Sequence, residues 1–269
     1  MDTRPSGEPE GLALFPSCYN RRAMSVQTTP HKPRGRTSAL RRDAAARKLR
    51  ELFRRLRGAY GPQRWWPAET PFEVIVGAIL TQAAAWTNVE RAIGRLKAEG
   101  MLSPRAIREA PRDRLADVIR SAGYFNAKAA KLQAVCRHLG ERYGDSLERL
   151  FDQDVAALRA ELLGLYGVGE ETADSIILYA AGKPSFVIDA YTRRILARVG
   201  VRPREESYAA HQALFMERLP PSAPLFNEYH ALLVRHGKDA CVKSRPRCAG
   251  CCLADICRHA RRARSPGRT

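Results

Sequence analysis

No run of about eighteen apolar residues occurs in this chain, so no stretch of it can cross a bilayer as a helix. Acidic residues are scarce: 28 Asp and Glu stand against 46 Lys and Arg, a formal charge of +18. A deficit of that size favours a polyanionic partner, nucleic acid first and an anionic membrane surface second. Strand-length alternation of apolar and polar residues is missing throughout, which leaves an all-α chain as the expectation. The Arg-rich N-terminal stretch lacks the apolar segment that a secretory signal needs; its shortage of acids also suits an organelle transit peptide. Cysteine occurs seven times, an odd number for a disulfide framework, and five of the seven crowd between residues 241 and 257. Such clustering points to a metal and to a reducing, cytoplasmic compartment.

At 269 residues the chain can bury a full core as one large or two small domains. Residues 1–43 are rich in Pro, Ser, Thr and Arg and are expected to form a disordered basic tail, with Met24 as an alternative start of translation. Ala44 to Tyr60 repeats apolar residues at helical spacing with Arg between them, a basic amphipathic helix. Trp65-Trp66-Pro67 follows as a loop whose aromatics read as core plugs. Pro71 to Leu80 opens on proline, which suits a first helical turn, and reads as a buried helix ending near Thr81-Gln82. Short helices over 104–122, a longer one through Leu139 and two more over 144–163 suit a compact bundle rather than a solenoid. Helices at 190–199, 208–219 and 223–236 lead to the cysteine loop, and 258–269 reads as a second disordered basic tail.

The most informative stretch runs from Leu162 to Gly200. It reads as a helix end, a tight turn at Gly167-Val168-Gly169, a second helix from about Glu170 to Ala181, and a lone carboxylate, Asp189, at the mouth of a third helix. Glycines accept positive φ at little steric cost, so the backbone can turn hard and leave amide N–H groups facing outward. With the positive end of a helix behind them, those amides form an anion site suited to a DNA phosphate. A plain helical hairpin is the other reading of the same residues. Asp189 also reads as a simple N-cap, although no Glu or Gln stands three residues on to complete a capping box.

Cys241, Cys248, Cys251 and Cys257 follow a C-x6-C-x2-C-x5-C spacing. Four thiolates in so short a stretch can converge on one centre, and all-sulfur ligation suits zinc or an iron–sulfur cluster. Cys252 is an extra thiol able to exchange with Cys251. Lys243, Arg245 and Arg247 make the loop basic and able to face phosphate.

Gly167-Val168-Gly169-x-x-Thr172-Ala173-Asp174, followed by Val187-Ile188-Asp189-Ala190-Tyr191-Thr192-Arg193, resembles the helix-hairpin-helix (HhH-GPD) DNA glycosylases of the endonuclease III superfamily. The resemblance covers about residues 50–257. It implies an all-α fold of two lobes: a six-helix domain over 70–186 carrying the hairpin, and a second built from the N-terminal helix (44–69) and residues 187–257. It further implies that Gly167, Val168, Gly169 and Thr172 grip backbone phosphate, that Asp189 acts on the flipped nucleotide, and that Gln82 enters the duplex where the target base has left. Ser121 to Ala129 resembles the family's G-Y-x-N-x-K-A turn, which puts Tyr124 at the pocket or as a strand wedge and Lys128 on a phosphate. In this branch the same cysteine spacing carries a [4Fe-4S] cluster, so the resemblance favours iron–sulfur over zinc. The implied partner is double-stranded DNA containing damaged bases, bound by a monomer.

Cleaving an N-glycosidic bond requires a base out of the stack, negative charge beside the developing oxocarbenium ion, and water at the sugar carbon. Asp189 fits that charge-stabilising and water-orienting role. Bifunctional members carry a lysine two residues beyond Gly169; this chain has Glu171, which cannot form an imine. Lys183, at the far end of the same helix, is a poor substitute, and the glutamate used by the adenine-mismatch branch falls on Ala78. His230 is readable as a base but fits a packed, hydrogen-bonded histidine better. The pattern resembles the endonuclease III-like 3-methyladenine glycosylases, monofunctional enzymes that release alkylated bases. The alternatives are a bifunctional oxidised-pyrimidine glycosylase with lyase activity and a non-catalytic binder of DNA structures.

Overall fold

A computed structural model describes residues 35–63 and 65–264, and among them are thirteen α-helices and no strand. None of these helices is long and apolar enough to cross a membrane. Helix α1 spans Gly35–Tyr60, so it begins inside the stretch expected to be disordered. The reason is local: Ala, Leu and Arg dominate from Ala39 onward, all strong helix formers, and no glycine interrupts them before Gly58. The rest of that expected tail, 1–34, lies outside the described residues.

The first lobe comprises α2 (Pro71–Leu80), α3 (Trp86–Ala98), α4 (Pro104–Glu109), α5 (Arg112–Val118), α6 (Phe125–Tyr143), α7 (Leu147–Phe151), α8 (Val155–Leu163) and α9 (Glu170–Ser175). Their starts are written in short polar side chains: Thr70, Ser103, Ser146 and Asp154 each accept the amide three residues on. Each such cap contributes about 1 kcal/mol. Helix α2 is enclosed on every side from Phe72 to Leu80. Its one carboxylate, Glu73, is tied to Lys97 on α3 at 3.0 Å, which spares the lobe an unpaired buried charge. Ile79, Val89, Ile107, Leu132, Leu158 and Ile176 form the centre of this core.

The second lobe comprises α1, α10 (Ala190–Val199), α11 (Tyr208–Met216), α12 (Ala223–Asp239) and α13 (Arg258–Arg264). Leu49, Leu52 and Leu56 of α1 are fully buried against Phe186, Phe215 and Tyr229, and the Tyr229 hydroxyl donates to the Leu49 carbonyl at 2.7 Å. Phe186 stacks flat on Phe215 with ring centroids 3.7 Å apart. Helix α13 falls where a disordered tail was expected. It is held because Ala260 is buried and Arg258 lies across Gly200, where a Cβ would come within 2.3 Å of the arginine chain.

The lobes meet along the second hairpin helix. After Ser175 it widens into a π-helical segment, Ile176–Ala180, in which Ile176 and Ile177 pack into the first core and Leu178 into the second. Wide turns of this kind are uncommon and frequently mark functional sites.

Candidate active site and DNA interface

Of the two hairpin glycines, only Gly167 has positive φ (+81°). A Cβ there would also lie 2.2 Å from Cγ of Lys131, so conformation and space both demand glycine. Gly169 differs from expectation: its φ is −94° and its ψ 179°, ordinary extended backbone, and a Cβ would meet nothing within 4 Å. The protein itself leaves that space open. Gly169 is the N-cap of α9 and caps it with no side chain. Among the described residues, the amides of Glu170, Glu171 and Thr172 reach no backbone carbonyl, so the first turn keeps donors free for an anion.

The side chains expected on DNA are distributed unevenly. Val168 is buried in the first core, so only its backbone is available. The Thr172 hydroxyl is buried too and accepts from the Gln82 amide at 3.0 Å. Gln82 also donates to the Gly167 carbonyl at 3.0 Å and accepts from the Lys131 ammonium at 2.5 Å. It is therefore docked on the hairpin, with Thr172 as its seat. Lys128 corrects the expectation outright. Its ammonium is buried and donates to the carbonyls of Leu80 and Ala122 at 2.8 and 2.7 Å. It serves two helix C-terminal ends and cannot reach a phosphate; Lys131, one turn on, faces the hairpin instead.

Tyr124 is 74% exposed and sits in the left-handed region at φ +47°, an exposed aromatic held on a strained turn. Sequence reasoning missed Tyr166, 64% exposed immediately before Gly167. The available signal was a large aromatic at the tip of a glycine turn, where packing cannot use it. These two are the exposed large hydrophobics among the described residues.

Asp189 lies at the start of α10 on a loop fastened from three sides. Ser185 donates to Asp174 at 2.6 Å, Gln212 donates to the Phe186 carbonyl at 2.9 Å, and the Ile188 amide donates to the Tyr208 hydroxyl at 3.2 Å. Asp174 is fully buried and paired with Arg159 through both carboxylate oxygens, at 3.0 and 3.1 Å. The loop is thus anchored to both hairpin helices. Asp189 does cap its helix: Oδ1 accepts the Thr192 amide at 2.7 Å. That leaves Oδ2, which faces Nε2 of His230 on α12 at 3.7 Å. Burial pushes the Asp189 carboxyl up, but His230 and Thr192 outweigh it and hold the carboxylate below its usual range.

Glu171 shares this cleft. It has access to water, yet protein crowds round its carboxyl, so burial pushes its pKa up and the neighbouring Asp189 charge pushes it further. His230 bonds Tyr179, with the hydroxyl 2.5 Å from Nδ1, and Tyr179 carries the ring of Trp66 at 4.8 Å. Trp66 has φ +73°. Trp65, Trp66, Thr70, Tyr179 and Asn227 line a cavity of about 210 Å³. The indole N–H groups of Trp65 and Trp66 are buried without a partner. The tryptophans expected to be core plugs thus also wall a cavity connected to Asp189 through Tyr179 and His230.

Cys241, Cys248, Cys251 and Cys257 line one common recess with Arg198 and His236; Cys252 is not part of that lining. Among the described residues, no three His, Cys, Asp or Glu side chains stand together as a site for a metal ion. The four cysteines lining this recess form an all-thiol donor set, which suits sulfur-loving centres. Arg198, on the last turn of α10, points its guanidinium at the Cys241 sulfur (3.2 Å) and at the carbonyls of Val242 and Lys243 (2.7 and 2.9 Å). The neighbouring thiols act on each other: Cys251 holds the Cys252 thiol down, to about 7, and Cys252 pushes the Cys251 thiol up, to about 12. One helix, α10, therefore has Asp189 at one end and the cysteine loop at the other.

A family model described as HhH-GPD superfamily base excision DNA repair protein matches residues 76–221. Over 208 residues the chain is 45% identical to a Methanocaldococcus jannaschii protein provisionally named a DNA repair glycosylase, covering 77% of this chain and 94% of that one. It is 30% identical to endonuclease III of Thermotoga maritima over 199 residues, 71% of this chain and 84% of the relative. Among solved structures, a trapped endonuclease III–DNA covalent intermediate superposes with a TM-score of 0.71 at 24% identity, covering 81% of this chain and 98% of that one.

Proposed function

The chain belongs to the HhH-GPD superfamily of base excision DNA repair proteins and is a DNA glycosylase of that type; on that premise we propose that it is monofunctional, hydrolysing the N-glycosidic bond of an alkylated base without cutting the strand. The observation that carries this reading is the carboxylate at residue 171, beside Asp189, where a lyase would present an amine. The amines nearby are committed elsewhere. Lys183 donates to the Gln153 carbonyl at 2.7 Å, Lys131 to Gln82, and Lys128 to two buried carbonyls.

In this reading duplex DNA lies across the hairpin, its phosphate on the free amides after Gly169, with Gln82 and Tyr124 at the gap left by the flipped nucleotide. Oδ2 of Asp189 faces the sugar. Its negative charge stabilises the oxocarbenium ion as the C1′–N bond breaks, and it orients the water whose oxygen bonds to C1′. An N3-alkylated purine departs as a neutral base, so two carboxylates and no strong acid suffice. The cavity walled by Trp65, Trp66 and Tyr179 supplies electron-rich ring faces that favour a cationic base.

Cys241, Cys248, Cys251 and Cys257 would hold a [4Fe-4S] cluster, with zinc as the alternative occupant. The cluster would supply a rigid cross-link for the basic loop and no step of the hydrolysis.

The test is base release from duplex DNA carrying radiolabelled methyl groups, scored with and without later alkali. Release of 3-methyladenine, strand breaks only after alkali, and loss of release in Asp189→Asn are the expected results. Covalent trapping of the wild type on DNA by borohydride would refute the monofunctional reading. Release of oxidised pyrimidines in place of methylated purines would replace the substrate.

A further inference from the structure

His230 is buried, and its Nε2 has no hydrogen-bond partner. A buried polar nitrogen left unpaired is costly and calls for a reason. Its surroundings supply one. Nδ1 is engaged by the Tyr179 hydroxyl at 2.5 Å, and Nε2 points at Oδ2 of Asp189 across 3.7 Å. Tyr179 lies in the π-helical segment and forms part of the cavity wall. Without the wide turn, Tyr179 would be rotated out of its place between the cavity and His230.

The order of the groups sets the direction of the protons. Burial pushes the Tyr179 hydroxyl well above its usual range, so it stays protonated. Of the two neutral tautomers, the one with its proton on Nε2 presents that proton to the Asp189 carboxylate, which can only accept, and leaves Nδ1 to accept from the Tyr179 hydroxyl. An imidazole that accepts at Nδ1 carries its proton on Nε2. That N–H is directed at the carboxylate oxygen that does not cap α10. The distance is too long for a finished hydrogen bond and short enough for one to form with a small movement.

We propose that His230, held in its Nε2–H tautomer by Tyr179, is the positioning residue for Asp189. Oδ1 is fixed by the Thr192 amide, and Oδ2 is steered by His230 toward the sugar and the attacking water. Because Tyr179 also walls the cavity, a base that fills the cavity presses on the group that orients the histidine, which ties recognition to alignment of the carboxylate. This rests on the reading of Asp189 as the catalytic carboxylate.

The experiment has two arms on the full-length protein. The first is long-range 1H–15N NMR of histidine-labelled protein, with His230→Gln identifying the signal. The expected result is the Nε2–H tautomer in the wild type and loss of that single tautomer in Tyr179→Phe. An Nδ1–H or doubly protonated His230 at neutral pH would overturn the proposal, and this arm needs no lesion. The second is single-turnover base release from methyl-labelled duplex, alongside binding of an abasic-site duplex. His230→Leu is expected to slow release roughly ten- to a hundredfold while DNA affinity stays within about twofold, because misplacement of a reacting group acts on the chemical step. His230→Gln, whose amide N–H can stand in for Nε2–H, is expected to recover most of the rate. Wild-type rates in His230→Leu, with Asp189→Asn inactive, would sink the proposal and leave the catalytic aspartate standing. Wild-type rates in Asp189→Asn would instead remove the reading on which it rests.

Discussion

The two hairpin glycines answer to different masters, and alanine at each should separate them. Gly167→Ala forces a Cβ into the left-handed region at φ +81° and onto the Lys131 chain, with contacts of 2.2 to 2.8 Å. The backbone term costs about 1–2 kcal/mol. For a protein of this size each kcal/mol lowers Tm by about 2–4 °C, so a fall of roughly 2–8 °C is expected. Lys131 must also move, which releases Gln82. Gly169→Ala meets nothing within 4 Å and sits at φ −94°. Its Tm should change little, since restricting the unfolded chain contributes about 0.4–1 kcal/mol and alanine in place of glycine at an N-cap loses a comparable amount. Its DNA affinity should nevertheless fall, because the methyl group occupies the space through which a phosphate reaches the free amides. Loss of one charge-assisted hydrogen bond, about 1.5–3 kcal/mol, corresponds to roughly ten- to a hundredfold weaker binding. Thermal unfolding and fluorescence anisotropy with a labelled abasic-site duplex measure the two quantities. A Gly169→Ala protein that binds DNA like the wild type would refute the assignment of that open space to phosphate. An unchanged Tm in Gly167→Ala would refute the conformational argument.

Three further outcomes follow from the same geometry. Arg159→Ala strands the fully buried Asp174 carboxylate and loosens the loop carrying Asp189; the expected loss is about 3 kcal/mol, seen in denaturant unfolding. Glu171 has a raised folded pKa, so its contribution favours the fold below the unfolded value of 4.5 and is lost as pH rises through the folded value. Glu171→Gln should therefore raise Tm at pH 7–8 and lose that advantage near pH 4; a constant difference across pH would contradict the crowding of two carboxylates. Cys248→Ser should remove the visible absorption and the bound iron while Cys252→Ser keeps both, measured by spectroscopy and metal analysis; colourless wild-type protein with stoichiometric zinc would reverse the choice of occupant.

Much of the molecule was legible from residue types alone, for physical reasons that act over a few residues. Helix starts are announced by Thr70-Pro71, Ser103-Pro104, Ser146 and Asp154, because capping satisfies amides within one turn. Helical content, the turn at Gly167 and the cysteine spacing belong to the same class of signal. The placement of long side chains was not legible. Lys128 points inward and Lys131 toward the hairpin because α6 packs against the ends of α2 and the Arg120–Ala122 turn, a fact of tertiary packing. The open space at Gly169 and the strained Trp66 that walls a cavity likewise exist only once separate segments are assembled. So does the approach of His230 to Asp189, which brings together α12 and the start of α10 across forty-one positions of sequence. Local propensity decided which elements form; the free energy of packing two cores decided which side chains those elements turn toward the cleft.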